Sequence, residues 1–190
     1  MKLVLGVHNH QPVGNFDHVI ADIYRRSYLP FLETVERHPA FRFCLHITGP
    51  LLEWLQRHRP DYLERVALLV RDGRVELLGG GFYEPILVAI PESDRQGQIR
   101  MMREWLARHL GAEPAGVWLA ERVWEPQLAG SLARAGVRFA LLDDYHFVQA
   151  GLSPAALEAG PLLTDDLGAE VALLPISERL RYLIPFADPE

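Results

Sequence analysis

The chain is short of several things, and each shortage narrows what it can be. Its 190 residues contain one cysteine, Cys44, so neither an intrachain disulfide nor a cysteine-based zinc site can form. Lys2 is the sole lysine, and no block of basic residues offsets a formal net charge of −6, which argues against a nucleic-acid partner. No apolar run approaches the roughly 20 residues that cross a bilayer, so no membrane partner is expected. Asparagine occurs only at Asn9 and Asn15. That scarcity suits a heat-tolerant source and equally a GC-rich genome. No glycine-rich phosphate fingerprint follows the first apolar segment, which weighs against a dinucleotide fold. A reducing cytoplasm fits the cysteine usage.

What is present alternates regularly. Strand-like segments fall at Leu3–Val7, Phe41–Ile47, Arg74–Leu78, Ala115–Ala120, Val137–Leu142 and Glu170–Leu174. Helical periodicity fills the gaps: Asp17–Arg37 with a break or kink at Pro30, Leu51–His58, Asp61–Arg71, Pro91–Leu110 and Pro126–Ala135. The stretch before Glu170 reads as loop. Strands separated by helices predict a parallel α/β protein. Polar residues gather where the strands end: His8 and His10, His46, Glu76 with Tyr83 and Glu84, Glu121, Asp143 and Asp144. A barrel brings such ends onto one face, whereas an open sheet spreads them along an edge. Six strands do not close a barrel of this kind, and the apolar Leu180–Phe186 has no helix after it. The chain therefore reads as the front part of a longer protein.

The most informative segment is Trp118-Leu119-Ala120-Glu121-Arg122-Val123-Trp124, a carboxylate just past a strand and between two indoles whose faces suit sugar rings. Spacing alone leaves open that Glu121 merely caps the helix beginning near Pro126. Val7-His8-Asn9-His10-Gln11-Pro12 sets two imidazoles behind the first strand. They are expected on opposite faces, converging only if the chain turns after Val7. Val75-Glu76-Leu77 leads to Gly81-Phe82-Tyr83-Glu84-Pro85, and the fifth strand runs into Asp143-Asp144-Tyr145-His146-Phe147.

Taken in order, these four segments resemble glycoside hydrolase family 57, nearest its 4-α-glucanotransferase (amylomaltase-like) and α-amylase branch. The resemblance implies an incomplete (β/α)7-type barrel, here truncated after about six strands, with residues 1–190 its N-terminal portion. It implies a retaining mechanism on α-1,4-glucans or maltooligosaccharides, with no cofactor and metal-independent chemistry. Residue by residue, the nucleophile falls on Glu121, sugar-contacting histidines on His8 and His10, and a second carboxylate on Glu76. An acid/base aspartate, a helical region and any β-rich domain fall beyond residue 190, so the fragment alone is expected to be inactive.

Ionised Glu121 is expected to be held by Arg122 or a histidine donor. Trp124 is the expected sugar platform and Trp118 a core residue. Tyr83 is a further substrate contact, and of the adjacent aspartates Asp144 is taken to face the sugar. Glu76 is expected to be buried with a hydrogen-bond partner. Two other readings stay open: a non-catalytic glucan-binding fragment, and a metal-dependent deacetylase-like hydrolase in which His-x-His joins Asp143 or Asp144. Oligomeric state, including a homodimer, is left open.

Overall fold

The structure, a computed structural model, describes residues 3–183. Strand β1 (Gly6–Asn9) leads through helices α1 (Asp17–Ile23) and α2 (Leu29–Arg37) to β2 (Phe43–Ile47). Helices α3 (Gly49–His58) and α4 (Pro60–Arg71) return to β3 (Val75–Leu77). The long α5 (Glu92–Leu110) reaches β4 (Gly116–Val117), and α6 (Leu128–Arg134) reaches β5 (Phe139–Asp143). After α7 (Asp144–Gln149) and α8 (Pro154–Glu158) come β6 (Leu162–Asp166), β7 (Ala169–Ile176) and α9 (Glu178–Leu183). Ile184–Phe186, part of the expected apolar tail, lies outside the described residues. No helix among the described residues is long and apolar enough to cross a membrane.

The α/β alternation and the parallel pairing follow the sequence reading. Strands β1-β2-β3 are parallel neighbours, and so are β4, β5 and β7. One bridge joins the two groups. The Gly79 N–H donates to the Gly116 carbonyl and the Trp118 N–H donates to the Gly79 carbonyl, each at 2.9 Å. One face of this sheet packs under the helices, with Leu45, Ile47, Val75 and Leu77 in one cluster and Val117, Leu119, Ala140 and Leu142 in another. Residues one position over point the other way: Cys44, Leu78 and Leu141 form a smaller cluster with Trp118 and Leu174. A methyl placed on Gly6 of β1 would lie 3.8 Å from Leu141 of β5. Four strand spacings in a flat sheet would separate those strands by about 19 Å. The sheet therefore curls, and its curl encloses the inward side chains.

Two departures from the sequence reading have physical causes. The break or kink expected at Pro30 lies instead in the turn before it, where Tyr24–Tyr28 widens to π-helical pairing and the helix continues unbroken. That register relieves the clash between a proline ring and the carbonyl four residues earlier, here on Arg26. The expected loop before Glu170 contains β6, antiparallel to β7. The turn between them places Leu167 and Gly168 at φ of 52° and 84°, the twist that suits a two-residue hairpin. Leucine at the first turn position hides the usual Asn-Gly or Asp-Gly signal.

Gly49, at the start of α3, donates its N–H to the Phe82 carbonyl at 2.9 Å, and a Cβ there would lie 2.4 Å from that oxygen. This close approach ties the end of β2 to the loop after β3. Gly49→Ala should therefore destabilise the fold by about 1–3 kcal/mol, as overpacking of a closed contact does. Urea unfolding would measure the loss, and an unchanged midpoint would show the contact to be dispensable.

Candidate active site

The site forms where β1, β2, β3 and β4 end. His8 and His46 are register partners on adjacent parallel strands, which sets their rings side by side. Their Nδ1 atoms lie 2.9 Å apart and their centroids 5.0 Å apart. His8 also stacks on Trp118, centroids 4.7 Å apart and planes inclined by 14°. Gly80 makes room for this packing: a Cβ there would meet the Trp118 carbonyl at 2.8 Å and His46 Nε2 at 3.1 Å.

The expectation that His8 and His10 diverge is wrong in its period. β1 runs on to Asn9, and in an extended chain it is residues one apart, not two apart, that face oppositely. Asn9 is the one turned away, and it is buried. Both imidazoles converge on a single carboxylate, Glu84. His10 Nδ1 lies 2.5 Å from Glu84 Oε2, His8 Nε2 3.5 Å from Oε1, and His46 Nδ1 3.8 Å from Oε1. Donor atoms of His8, His10 and Glu84 all fall within 4.8 Å of one another, a set that one metal ion could span.

Backbone strain is concentrated here. Four non-glycine residues are at positive φ among the described residues: Glu84, Glu121, Arg122 and Leu167. Three of them surround the site, and such strain persists only where neighbouring structure enforces it. Glu84 is held at φ 51° by its N–H bond to the Gly81 carbonyl, directly before Pro85. Glu121, at φ 52°, exposes its carboxylate in the turn after Trp118.

The electrostatics follow from burial. Burial first, then His10 and Arg122, lowers the His8 pKa to about 4. Burial likewise drives His46 well below the usual histidine range. Both rings are therefore neutral near pH 7. Burial raises the Glu84 pKa, the His10 hydrogen bond opposes that, and the charge of Glu121 adds to it. Glu121 thus acts electrostatically on the carboxylate that gathers the histidines.

The remaining expected residues are placed as follows. Arg122 bonds Asp143 (Nε to Oδ2, 3.1 Å) and lies over the Trp118 ring, so the expectation that it pairs with Glu121 is replaced by an Arg122–Asp143–Arg181 group. Glu76, expected to be buried and partnered, is exposed. It is in register with Cys44, two residues below His46, and its charge joins burial in raising the Cys44 pKa to about 11. Asp144 accepts the Glu178 N–H at 3.1 Å at the start of α9. Tyr83 is 45% exposed on the same loop as Glu84. Trp124 packs partly buried against the second core cluster, while Trp118 packs against the Cys44–Leu78–Leu141 cluster, as expected of a core residue, and also lies against His8. His46 and Glu84 stand at the centre; the sequence placed both among the polar residues at strand ends but gave neither a role. Strand parity, which sets His46 beside His8, was the available signal.

A profile for Glycosyl hydrolase family 57 matches residues 4–189. The chain belongs to glycosyl hydrolase family 57. It is 50% identical to an alpha-amylase of Pyrococcus horikoshii and 48% identical to a 4-alpha-glucanotransferase of Thermococcus litoralis, each over 186 residues and 98% of this chain. The crystal structure of the Thermococcus litoralis enzyme superposes with a TM-score of 0.93 over 97% of this chain. The alpha-amylase AmyC of Thermotoga maritima, at 18% identity and a TM-score of 0.73, shares the fold. The chain spans 29% and 28% of the lengths of the first two relatives and 29% of the Thermococcus litoralis structure.

Two outcomes are expected of this site. His8 and His46 are neutral when folded, whereas the unfolded chain protonates them below about pH 6.5. Stability is thus full above that value and falls as pH drops toward about 4. Melting temperatures at pH 7, 6 and 5 should decline, and His8→Gln should decline less; a flat profile in the parent chain would contradict the assignment. Glu121→Gly should raise the unfolding free energy by roughly 0.5–1 kcal/mol, because removing left-handed strain outweighs glycine's added entropy. Equal or lower stability by urea titration would show that the turn is not strained.

Proposed function

We propose that residues 1–190 are the N-terminal portion of a (β/α)7-type barrel catalytic domain that processes α-1,4-glucans with retention of configuration, as a 4-α-glucanotransferase. The observation that carries this is the exposed carboxylate of Glu121, held in a strained turn at the end of β4 and beside the His8–Trp118 stack. Glu121 attacks C1 of a glucose unit. The bond from C1 to the glycosidic oxygen breaks, and that oxygen takes a proton from an acid/base supplied beyond residue 190. An acceptor hydroxyl, losing its proton to the same group, then attacks C1 and releases Glu121. His8 and His10 hydrogen-bond the sugar hydroxyls, and Trp124 supplies the stacking face, since the Trp118 ring already carries His8 and Arg122. Tyr83 lines the same loop.

Hydrolysis is the same chemistry with water as acceptor. The 50% identity to a protein named alpha-amylase favours keeping it as the second reading. Which prevails depends on how well acceptor subsites exclude water.

A 5-fluoro-α-glucosyl fluoride tests the first step in the chain itself, because fluoride departs without needing a proton. Mass spectrometry of the digested chain should find one glucosyl adduct, on Glu121, and none in Glu121→Gln. An adduct on Glu84 or Asp143 instead would overturn the assignment of the nucleophile.

A further inference from the structure

We infer that Glu84 is a positioning residue that fixes the tautomer of His10 while His46 fixes that of His8, so that one ring presents a lone pair and the other an N–H to neighbouring sugar hydroxyls. The inference deepens the glucan reading above and rests on it for the identity of the ligand.

The chain of hydrogen bonds begins behind the site. His46 is fully buried, and its Nε2 has no hydrogen-bond partner. An orphaned buried N–H is rarer and costlier than an orphaned lone pair, so the His46 proton resides on Nδ1. From there it is donated to His8 Nδ1, 2.9 Å away. Neutral His8 has then one place left for its own proton, Nε2, which faces Glu84 Oε1 at 3.5 Å. That separation is too long for a full hydrogen bond. The N–H is thus only loosely engaged and remains available to a ligand oxygen.

Glu84 treats His10 differently. Its Oε2 lies 2.5 Å from His10 Nδ1, and an ionised carboxylate accepts only, so His10 donates from Nδ1. In neutral imidazole the other nitrogen must then be an acceptor. His10 has half its side chain open to solvent, and this acceptor is its Nε2. Free histidine in water favours the opposite tautomer, so the carboxylate inverts an intrinsic preference. The two rings lie 5.6 Å apart, centroid to centroid. They thereby offer a donor and an acceptor side by side, which matches two adjacent hydroxyls of a pyranose.

The position of the carboxylate is itself enforced. Glu84 is nine-tenths buried, is held in the left-handed region, and has Oε1 without a hydrogen-bond partner. A carboxylate kept there against both strain and desolvation is placed for its neighbours rather than for the fold.

Chain labelled with 15N-histidine, in two-bond 1H–15N correlation spectra at pH 8, reads the tautomers directly. The parent chain should show His10 as Nδ1–H and His8 as Nε2–H. In Glu84→Ala, His10 should revert to the Nε2–H form, whereas Glu84→Gln, whose amide oxygen can still accept, should keep the Nδ1–H form. A carboxylate with a merely structural role would leave the tautomers of both variants unchanged. Maltooligosaccharide affinity should fall about 10- to 100-fold in Glu84→Ala, the size of one lost charge-assisted hydrogen bond. Finding Nε2–H for His10 in the parent, or unaltered tautomers in a folded Glu84→Ala, overturns the inference. The tautomer spectra contain no sugar and decide the positioning role alone; failure of the parent chain to bind maltooligosaccharide counts against the glucan reading.

Discussion

The Gly79 N–H donates to Gly116 and its carbonyl accepts from Trp118, and at this pair of bonds two half-sheets become one. His8 and His46 belong to the first half, Trp118 and Glu121 to the second, and the loop carrying Glu84 leaves from the joint itself. Glycine is required there because the strands and their following turns come together closely. A Cβ on Gly79 would meet the Pro114 ring at 3.2 Å, and one on Gly80 would meet the Trp118 carbonyl. The site's geometry is set by sheet register, the stiffest relationship a fold offers, and only its carboxylates are carried on turns.

Those turns are where stability is given up. The helical side of the sheet is packed by fully buried residues such as Leu51, Leu52, Val66, Met102, Leu128 and Leu132, which make a conventional apolar core. On the inward side the protein instead holds two neutral histidines, one of them fully buried, and a nearly buried carboxylate, with three residues at positive φ. Each of these disfavours folding by itself, and the large outer clusters are what make them tolerable. The separation has a simple topological origin. Alternation along a strand sends every second residue inward, so one strand can serve packing and chemistry at once.

How much of this was legible in the sequence depended on period and distance. Strand and helix alternation was plain, because apolar periodicity is local and the parallel arrangement follows from it. The four segments that mark the family were legible for the same reason, being short and contiguous. The role of Glu84 was not, since it arises only when His10 and the loop after β3 are brought together, 74 residues apart in the chain. His46 could have been found by applying strand parity to two neighbouring strands. The contact of Trp118 with His8 was not legible, because β4 pairs over only Gly116–Val117, which leaves Trp118 at its mouth as well as against the inner cluster. The hairpin β6–β7 was hidden by a leucine at a position where turn chemistry favours asparagine or aspartate.

The near-parallel contact of the His8 and Trp118 rings has an optical consequence. A neutral imidazole in contact with an indole leaves its emission largely intact, whereas a protonated one quenches it. Trp54 and Trp105 contact His58 and His109 on the helices and Trp124 lies against the second core, so of the chain's four tryptophans Trp118 is the one whose ring meets His8. The molecule carries its own label at the place where a ligand or a proton would arrive.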